Sequence, residues 1–349
     1  MYKGIALLSV LIMATSVAPK VEAQSEAALL FLLISPGGRA VGLGEAYTAI
    51  SDDALGLYYN PAGITQVQNA SLHVTRSRWL PRWGGMQYTY FGGVVNTRGW
   101  GTVGLSYTRM SYGKQEQVGP TAEALGEYES YDYAIGLSGA YQLSSLLSLG
   151  VSGKIIKSNG GPVSATAGAA DIGVQLRNIL PRLTFTGHDL LSGEKRRILR
   201  HRNAPGLTLG VSLQNMGPGV SYDGLDQKDP LPQNFRLGLA YNFFDTDALG
   251  ILLTYDFEKL LVKRHPDGSY DPFYKALFTA WSEKPVTHHF GVECTLFYLI
   301  SFRYGYYNDR YDRQTKESTW GLGIGTENAR FDLGRYSSDT IKGAITIVF

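Results

Sequence analysis

The side chains that could carry chemistry are few and poorly placed for it. His288, His289 and Glu293 come closest to a metal-ligand cluster, but adjacent residues of a strand point to opposite faces and cannot converge on one ion. Cys294 is the single cysteine, so no internal disulfide can form. No G-x-S-x-G, P-loop, H-E-x-x-H or dinucleotide fingerprint occurs in a strand-turn-helix context. We therefore expect no enzyme, no metal site and no cofactor.

The strongest local charge feature is a basic run at 194–202, whose arginines are Arg196, Arg197, Arg200 and Arg202. A solvated loop could carry such a run, and so could a surface that docks onto a partner or onto lipid head groups. Both interpretations stay open. Charged residues make up 18% of the chain and its formal net charge is +2. This balance gives no reason to expect nucleic acid as a partner.

The first 23 residues are typical of a cleavable secretory signal. Lys3 supplies the positive start, residues 5–13 form an apolar stretch too short to span a membrane, and Val21-Glu22-Ala23 resembles a small-residue cleavage site. We expect cleavage near Ala23, so that the mature chain begins near Gln24.

Downstream of residue 86 the sequence alternates with period two. In residues 131–142 the large side chains fall on one face, and Gly, Ala and Ser dominate the other. Strands of a soluble sandwich also alternate, but their second face is normally charged because it lies in water. A membrane barrel instead turns its apolar face to lipid and fits its inward face to whatever occupies the lumen. The small residues therefore favour a filled barrel.

Counting such segments predicts an all-β fold, a 14-stranded antiparallel transmembrane β-barrel over residues 70–349. The predicted strands lie near 70–80, 86–97, 99–112, 126–142, 146–158, 165–178, 206–216, 233–244, 248–260, 286–296, 297–308, 317–326, 327–337 and 341–349. Closure leaves no strand edge exposed to hydrocarbon. With a periplasmic start of the mature chain, the longer connections face outward. The exception is a long periplasmic insert near 178–205, which is either an appendage or a missed pair of strands.

The last strand ends in an aromatic residue. Ile345, Ile347 and Phe349 share one face of residues 341–349. A terminal strand of this kind resembles the signal read by the outer-membrane assembly machinery. We expect these three residues to act as the barrel assembly signal.

Residues 24–69 do not follow the alternation, and their Gly-rich centre at 31–63 indicates short helical turns broken by loops. Asp52 or Asp53 could cap a brief helix over residues 54–59, and Pro61 would end it because the residue before a proline avoids the helical region. We expect this segment to form an N-terminal plug, or hatch, inside the barrel lumen.

The same segment carries a resemblance to a known family. The run Leu-Leu-Ile-Ser-Pro-x-x-Arg and the later Asn-Pro-Ala-Gly step resemble the N-terminal signature of the PorV family of the type IX secretion system, which is related to the long-chain fatty-acid transporter family. The residues that form this hatch motif are Ser35, Pro36, Arg39, Gly42, Gly44, Asp53, Asn60, Pro61, Ala62 and Gly63.

The resemblance implies a non-enzymatic protein of the Gram-negative outer membrane. It would receive secreted cargo proteins through their C-terminal domains at the translocon and carry them to the cell-surface attachment complex. The implied partners are the secretion translocon barrel, the cargo C-terminal domains, a sortase-like surface protease and outer-membrane lipid.

Two other functions remain open from the sequence. An outer-membrane transporter of hydrophobic small molecules, such as long-chain fatty acids, would need a movable plug and an apolar outer pocket. The second open function is a purely structural outer-membrane protein that transports and binds no cargo. Apolar residues in the outward connections could line a ligand mouth or a protein-binding rim. They are Leu225, Leu231, Phe273, Leu277, Phe278 and Trp281.

Overall fold

The fold was analysed in a computed structural model. The structure describes residues 27–81, 86–118, 124–180, 206–222, 228–246, 248–283, 286–309, 315–326, 328–336 and 340–349. The predicted secretory signal and the basic run with Arg196, Arg197, Arg200 and Arg202 therefore lie outside the described residues.

Fourteen antiparallel strands form a closed barrel in which each strand pairs with its neighbours in the chain and the last pairs with the first. The wall consists of β1 (Ala70–Trp79), β2 (Met86–Asn96), β3 (Thr102–Val118), β4 (Ala124–Gln142), β5 (Leu147–Asn159), β6 (Ser164–Leu176), β7 (Leu207–Met216), β10 (Asn234–Asp245), β11 (Leu249–Leu260), β12 (Thr287–Leu296), β13 (Ile300–Asp309), β14 (Thr315–Gly325), β15 (Ala329–Tyr336) and β16 (Ile341–Val348). The two-residue strands β8 (Val220–Ser221) and β9 (Lys228–Asp229) pair only with each other. The predicted fourteen-stranded barrel is confirmed.

Alternate residues of each strand face opposite sides of the wall, as the period of a strand requires. In β1, His73 and Thr75 are buried, whereas Leu72 and Val74 are exposed. The same alternation continues around the ring, so the outer surface is a band of large apolar side chains and the inward face is small or polar. The sequence pattern predicted this division of the two faces.

The two ends of the barrel differ in their connections. The turn end carries the tight connections, such as residues 143–146 between β4 and β5, and the loop end carries the long ones, such as residues 261–286 between β11 and β12. At the turn end β6 and β7 pair directly with each other. The wall therefore passes directly from β6 to β7, and most of the predicted insert near 178–205 lies outside the described part of the chain.

The hairpin of β3 and β4 is longer than the sequence predicted. Its register continues from Gly113↔Ser130 out to Val118↔Ala124, beyond the last residues that β2 and β5 pair with. The predicted loop after residue 112 is therefore mostly strand. An ion pair between the exposed side chains of Lys114 and Glu127, at 3.0 Å, links the two strands there. The hairpin projects past its neighbours at the loop end.

Residues 27–69, here called the N-terminal segment, contain four short helical pieces: the 3-10 turns η1 (Leu30–Leu33) and η2 (Pro61–Gln66), and the helices α1 (Gly38–Gly42) and α2 (Gly56–Tyr59). The Asp53 carboxylate accepts a hydrogen bond from the Leu55 amide at 2.9 Å just before α2. Asn60 is extended, ends α2 and caps η2 through its bond from the Ala62 amide. The short helices follow the turn signals of the sequence.

The start of the described chain lies at the loop end. The Ala28 amide donates to Pro230 at 3.0 Å, and Ala27 packs against Leu260 and Val262. The segment then runs through to the turn end, where β1 begins and the Phe349 amide donates to Ala70 at 2.9 Å. The segment therefore traverses the barrel before the first strand, so that Ala27 and the beginning of β1 lie at opposite ends, whereas β1 and the C-terminus share one end. The periplasmic start of the mature chain stays a prediction.

The connection between β11 and β12 contains a third helix, α3 (Phe273–Thr279), followed by the 3-10 turn η3 (Ala280–Ser282). Among the described residues, no helix combines the length and the apolar character that a transmembrane helix requires.

Candidate functional site

The N-terminal segment contacts strands around the whole ring. Helix α1 packs on β13, β14, β15 and β16, and η2 packs on β3, β4, β5 and β6. On a third side, the Asp256 carboxylate of β11 accepts hydrogen bonds from the amides of Tyr47 and Thr48 at 3.1 and 2.9 Å. The segment's contacts are thus with the inward, buried residues of the wall, and we take this interface as the candidate site.

Glycines let the two backbones approach closely. A Cβ built on Gly305 of β13 would lie 1.9 Å from the backbone nitrogen of Gly44. Gly44 itself has a φ of 62°, in the left-handed region that favours glycine. On the opposite side, a Cβ on Gly150 of β5 would lie 2.4 Å from the Ala62 nitrogen. The inward glycines of the strands therefore make room for the segment.

Arg39 lies at the centre of a buried ionic network. Its guanidinium donates to both Glu293 oxygens at 3.0 Å, in the two-pronged geometry that binds carboxylates strongly. It also donates to Asp52 at 2.8 Å and to the Tyr47 hydroxyl at 3.1 Å. Glu293 accepts a further bond from Arg303 at 2.5 Å. Arg39 therefore joins two parts of the segment to β12.

A second branch runs through Asp53. Arg330 of β15 donates to Asp53 at 3.0 Å and to Asp332 at 2.6 Å, and Arg303 pairs with Asp332 at 2.9 Å. The Tyr47 hydroxyl donates to Asp53 at 3.0 Å, and burial raises the pKa of Tyr47 well above its ordinary value. The phenol stays protonated, so it remains a donor to the carboxylate.

Lys342 of β16 makes a further link near the loop end. Its ammonium group donates to the Ser35 carbonyl and lies over the rings of Trp79, Tyr88 and Tyr336 at 4.8, 4.9 and 5.5 Å. Cation–π contacts of this kind partly replace the water that a buried ammonium loses. Lys342 therefore ties the segment near Ser35 to the wall.

The remaining hatch-motif residues are buried in the same interface. The Asn60 amide donates to the carbonyls of Thr48 and Val174 at 3.1 Å each. A Cβ on Gly42 would lie 2.8 Å from Gly321 of β14, and one on Gly63 would lie 2.2 Å from the Ser51 side chain. Pro36, Pro61 and Ala62 are buried as well.

The predicted assembly-signal residues lie elsewhere. Ile345, Ile347 and Phe349 are exposed on the outer surface of the last strand and at the chain end. Ile345 and Ile347 lie apart from the interface of the N-terminal segment, whereas Phe349 also borders a cavity beside it at the turn end. Their role in assembly stays a prediction.

A cavity of about 800 Å³ opens at the turn end, between the segment and the wall. Its lining combines charged and amide side chains with apolar ones such as Ile50, Ile251 and Leu252. Arg39, Asp52, Asp53, Glu293 and Arg330 contribute charges, and amide side chains form much of the rim: Gln66, Gln68, Asn69, Asn96, Asn242 and Asn328.

The sequence predicted which residues of the N-terminal segment form this interface, but not which residues of the strands contact them. Arg303, Arg330, Asp332 and Lys342 were not singled out, and Glu293 was considered only as a metal ligand, although each is a charged residue at an inward strand position. A buried charge needs a partner. The isolated charges among Gly, Ala and Ser were therefore the available signal.

A closed fourteen-stranded barrel with an outward apolar band defines an outer-membrane β-barrel protein. The family model described as "Type IX secretion system protein PorV" matches residues 22–267. The chain belongs to the PorV family. No curated protein matches its sequence significantly.

Solved structures with a similar course include the toluene transporter TbuX of Ralstonia pickettii, with 12% identity over 90% of this chain and 98% of that one and a TM-score of 0.48. The toluene transporter TodX of Pseudomonas putida has 11% identity, coverage of 90% and 97%, and a TM-score of 0.49. A FadL homologue of Pseudomonas aeruginosa has 10% identity, coverage of 90% and 97%, and a TM-score of 0.44. Likeness at this level carries no argument about what the chain binds.

Proposed function

We propose that this protein is a non-enzymatic outer-membrane component of a type IX secretion system, which receives cargo proteins through their C-terminal domains at the translocon and shuttles them to the cell-surface attachment complex. The observation that carries the proposal is the family match over residues 22–267. The proposed partners are the translocon barrel, the cargo C-terminal domains and a sortase-like surface protease.

The contacts of the N-terminal segment support a role in which nothing has to pass through the barrel lumen. We propose that residues 24–69 act as a fixed plug. Arg39, Asp53 and Asn60 each bond to a different strand of the wall, β12, β15 and β6 respectively. Moving the segment would separate buried ion pairs, and breaking one such pair by removing a partner costs about 3–5 kcal/mol. A plug held in this way suits a scaffold that presents its surface to other proteins.

The alternative is a transporter of hydrophobic small molecules, the activity that the names of TbuX and TodX give for those proteins. A site for such a ligand is mainly apolar with a few polar groups. The cavity of about 800 Å³ has a mixed lining, in which the charged Arg39, Asp52, Glu293 and Arg330 lie beside apolar residues such as Ile50 and Leu252. Because several charges face it, this cavity supports the transporter less well than a mainly apolar pocket would.

The loop end offers the surface that a protein partner could reach. The projecting part of the β3–β4 hairpin and the long connection between β11 and β12 both lie there. We propose that cargo meets the protein at this end. The docking role of Arg196, Arg197, Arg200 and Arg202 remains a separate proposal, for which charge reversal and recovery of the complex by pull-down is the test.

Deletion of the gene tests the proposal against its alternative. The secreted and surface proteomes of the deletion strain are compared with its growth on long-chain fatty acids. The shuttle predicts that cargo proteins accumulate in the periplasm and disappear from the surface. A growth defect on fatty acids with a normal surface proteome would refute the shuttle and support transport.

A variant of the same protein locates the docking surface. Removal of residues 113–129 takes away the projecting part of the hairpin and leaves the paired barrel portions of β3 and β4 in place. Insertion into the outer membrane is checked by heat-modifiable migration on gels. If the loop end receives cargo, this variant inserts normally but fails to restore surface cargo in the deletion strain, whereas full restoration would exclude the hairpin.

A further inference from the structure

The segment formed by α3 and η3, residues 273–282, lies against the outer wall of the barrel. Its buried residues Ala276 and Ala280 form one cluster with Leu261, and Leu213 of β7 and Phe235 of β10 pack on that cluster from the wall. In β7 and β10 the neighbouring residues Gln214 and Arg236 are buried on the inward face, so Leu213 and Phe235 point outward.

The other side of the same segment carries large exposed side chains. Tyr274, Phe278 and Trp281 are spaced as i, i+4 and i+7, which places them along one stripe. Phe278 is 81% exposed and Tyr274 is 62% exposed. Phe273 adds a further exposed ring. Several large apolar side chains exposed side by side on a protein surface usually mark an interaction site.

This stripe continues the aromatic surface of the wall. The Trp281 and Phe235 rings meet edge to face with centroids 5.4 Å apart, and Phe235 in turn contacts Phe257 of β11 at 6.4 Å. The Trp281 indole N–H donates to the Leu277 carbonyl at 2.7 Å, so the ring can leave water without an unsatisfied donor. Aromatic rings with a satisfied polar group are typical of the membrane–water boundary.

We propose that α3 and η3 lie in the outer leaflet of the membrane as an interfacial anchor, with Tyr274, Phe278 and Trp281 inserted at the level of the lipid head groups and upper acyl chains. The occupant of this surface is lipid because the segment is continuous with the outward apolar band, which is the lipid-facing surface of an outer-membrane barrel. Two lysines of the same connection are paired with carboxylates, Lys275 with Asp271 and Lys263 with Glu283.

Site-directed fluorescence in proteoliposomes tests the anchor. In a Cys294→Ala background, Phe278→Cys places the probe on the stripe, and an environment-sensitive fluorophore is attached. Pro266→Cys, in the exposed turn of the same connection, serves as the aqueous control. Ile324→Cys, on the outward face of β14, serves as the membrane control. Vesicles contain phosphatidylcholine with a spin label either near the head group or deep in the acyl chain, and iodide is the aqueous quencher.

The anchor predicts that the Phe278→Cys probe loses intensity mainly with the shallow spin label and is shielded from iodide relative to the Pro266→Cys probe. The Ile324→Cys probe must lose intensity with lipid labels in the same vesicles, which verifies insertion. Quenching of the Phe278→Cys probe by iodide to the extent of the Pro266→Cys probe, without lipid quenching, would overturn the proposal. Shielding from both iodide and lipid would overturn it too, because protein would then cover the stripe.

Discussion

Replacing Arg39 by alanine removes the cation that joins the N-terminal segment to β12. The guanidinium is 3% exposed, and it bonds both oxygens of Glu293 as well as Asp52. The change leaves two carboxylates that have lost a cation, and we expect it to loosen the segment and to lower the free energy of unfolding.

The expected loss in free energy of unfolding depends on the partners that Glu293 and Asp52 still have without Arg39. Removing one partner of a buried ion pair costs about 3–5 kcal/mol. Glu293 keeps its bond from Arg303 at 2.5 Å, and the Asp52 side chain is 34% exposed and can be hydrated. Both facts reduce the cost, so we expect about 3 kcal/mol for Arg39→Ala, at the lower end of that range. Arg39→Lys keeps the charge but loses the two-pronged geometry, and we expect an intermediate loss.

Two measurements on the purified protein check this. Denaturant unfolding in lipid vesicles gives the change in free energy, and hydrogen exchange of residues 27–69 reports on the segment itself. The matched control is Lys114→Ala, which removes a 3.0 Å pair with Glu127 on the projecting, exposed part of the β3–β4 hairpin. An exposed pair contributes about 0–1 kcal/mol. The control should therefore leave both measurements nearly unchanged.

The reasoning would be refuted if Arg39→Ala cost no more than Lys114→Ala and left the exchange of residues 27–69 as in the wild type. Such a result would mean that the ionic network does not hold the segment. A loss of exchange protection confined to residues 27–69, with a stable wall, would instead mean that the network holds the N-terminal segment rather than the barrel.

Two further predictions concern close packing and pH. Gly305→Ala should destabilise the protein by at least about 1–3 kcal/mol, the range for overpacking, because its Cβ would meet the Gly44 backbone at 1.9 Å. Gly153→Ala, which has no atom within 4 Å of its Cβ, should be tolerated in the same unfolding assay. Hydrogen bonds from Lys275 and then Thr279 hold the pKa of Asp271 well below its usual range. Its stabilising contribution is therefore full above the unfolded pKa of about 4, declines below that pH, and is gone once pH has fallen through the lower folded pKa. The folded carboxylate stays ionised through pH 4, so Trp281 emission should change only at a markedly lower pH in the wild type and should show no such step in Asp271→Asn.

Much of the architecture could be predicted because its signals are local. Side-chain alternation has a period of two, so a run such as residues 131–142 reveals which face is apolar without knowledge of its neighbours. The turn signals around Asp53 and Asn60 likewise gave the short helices of the N-terminal segment. The extension of β3 and β4 was missed because it projects from the wall and carries the charges and amides of a solvated ribbon.

The partners of the candidate site could not be predicted in the same way. Arg39 and Glu293 are separated by 254 positions in the chain, and Ser35 and Lys342 by 307. No periodicity connects residues so far apart. Their pairing depends on the register of every strand in the closed ring, because a slip of one residue would turn each inward charge to the outside.

By itself, the sequence determined that alternating strands would close into a barrel and that a glycine-rich segment would precede them, because period and turn chemistry act over a few residues. Only the tertiary structure decided that this segment begins at the loop end, that Arg39, Asp53 and Asn60 bond to three separate strands, and that α3 folds over the outer wall. These features arise from contacts between distant parts of the chain, which form only once the ring is closed and its inward charges must find partners.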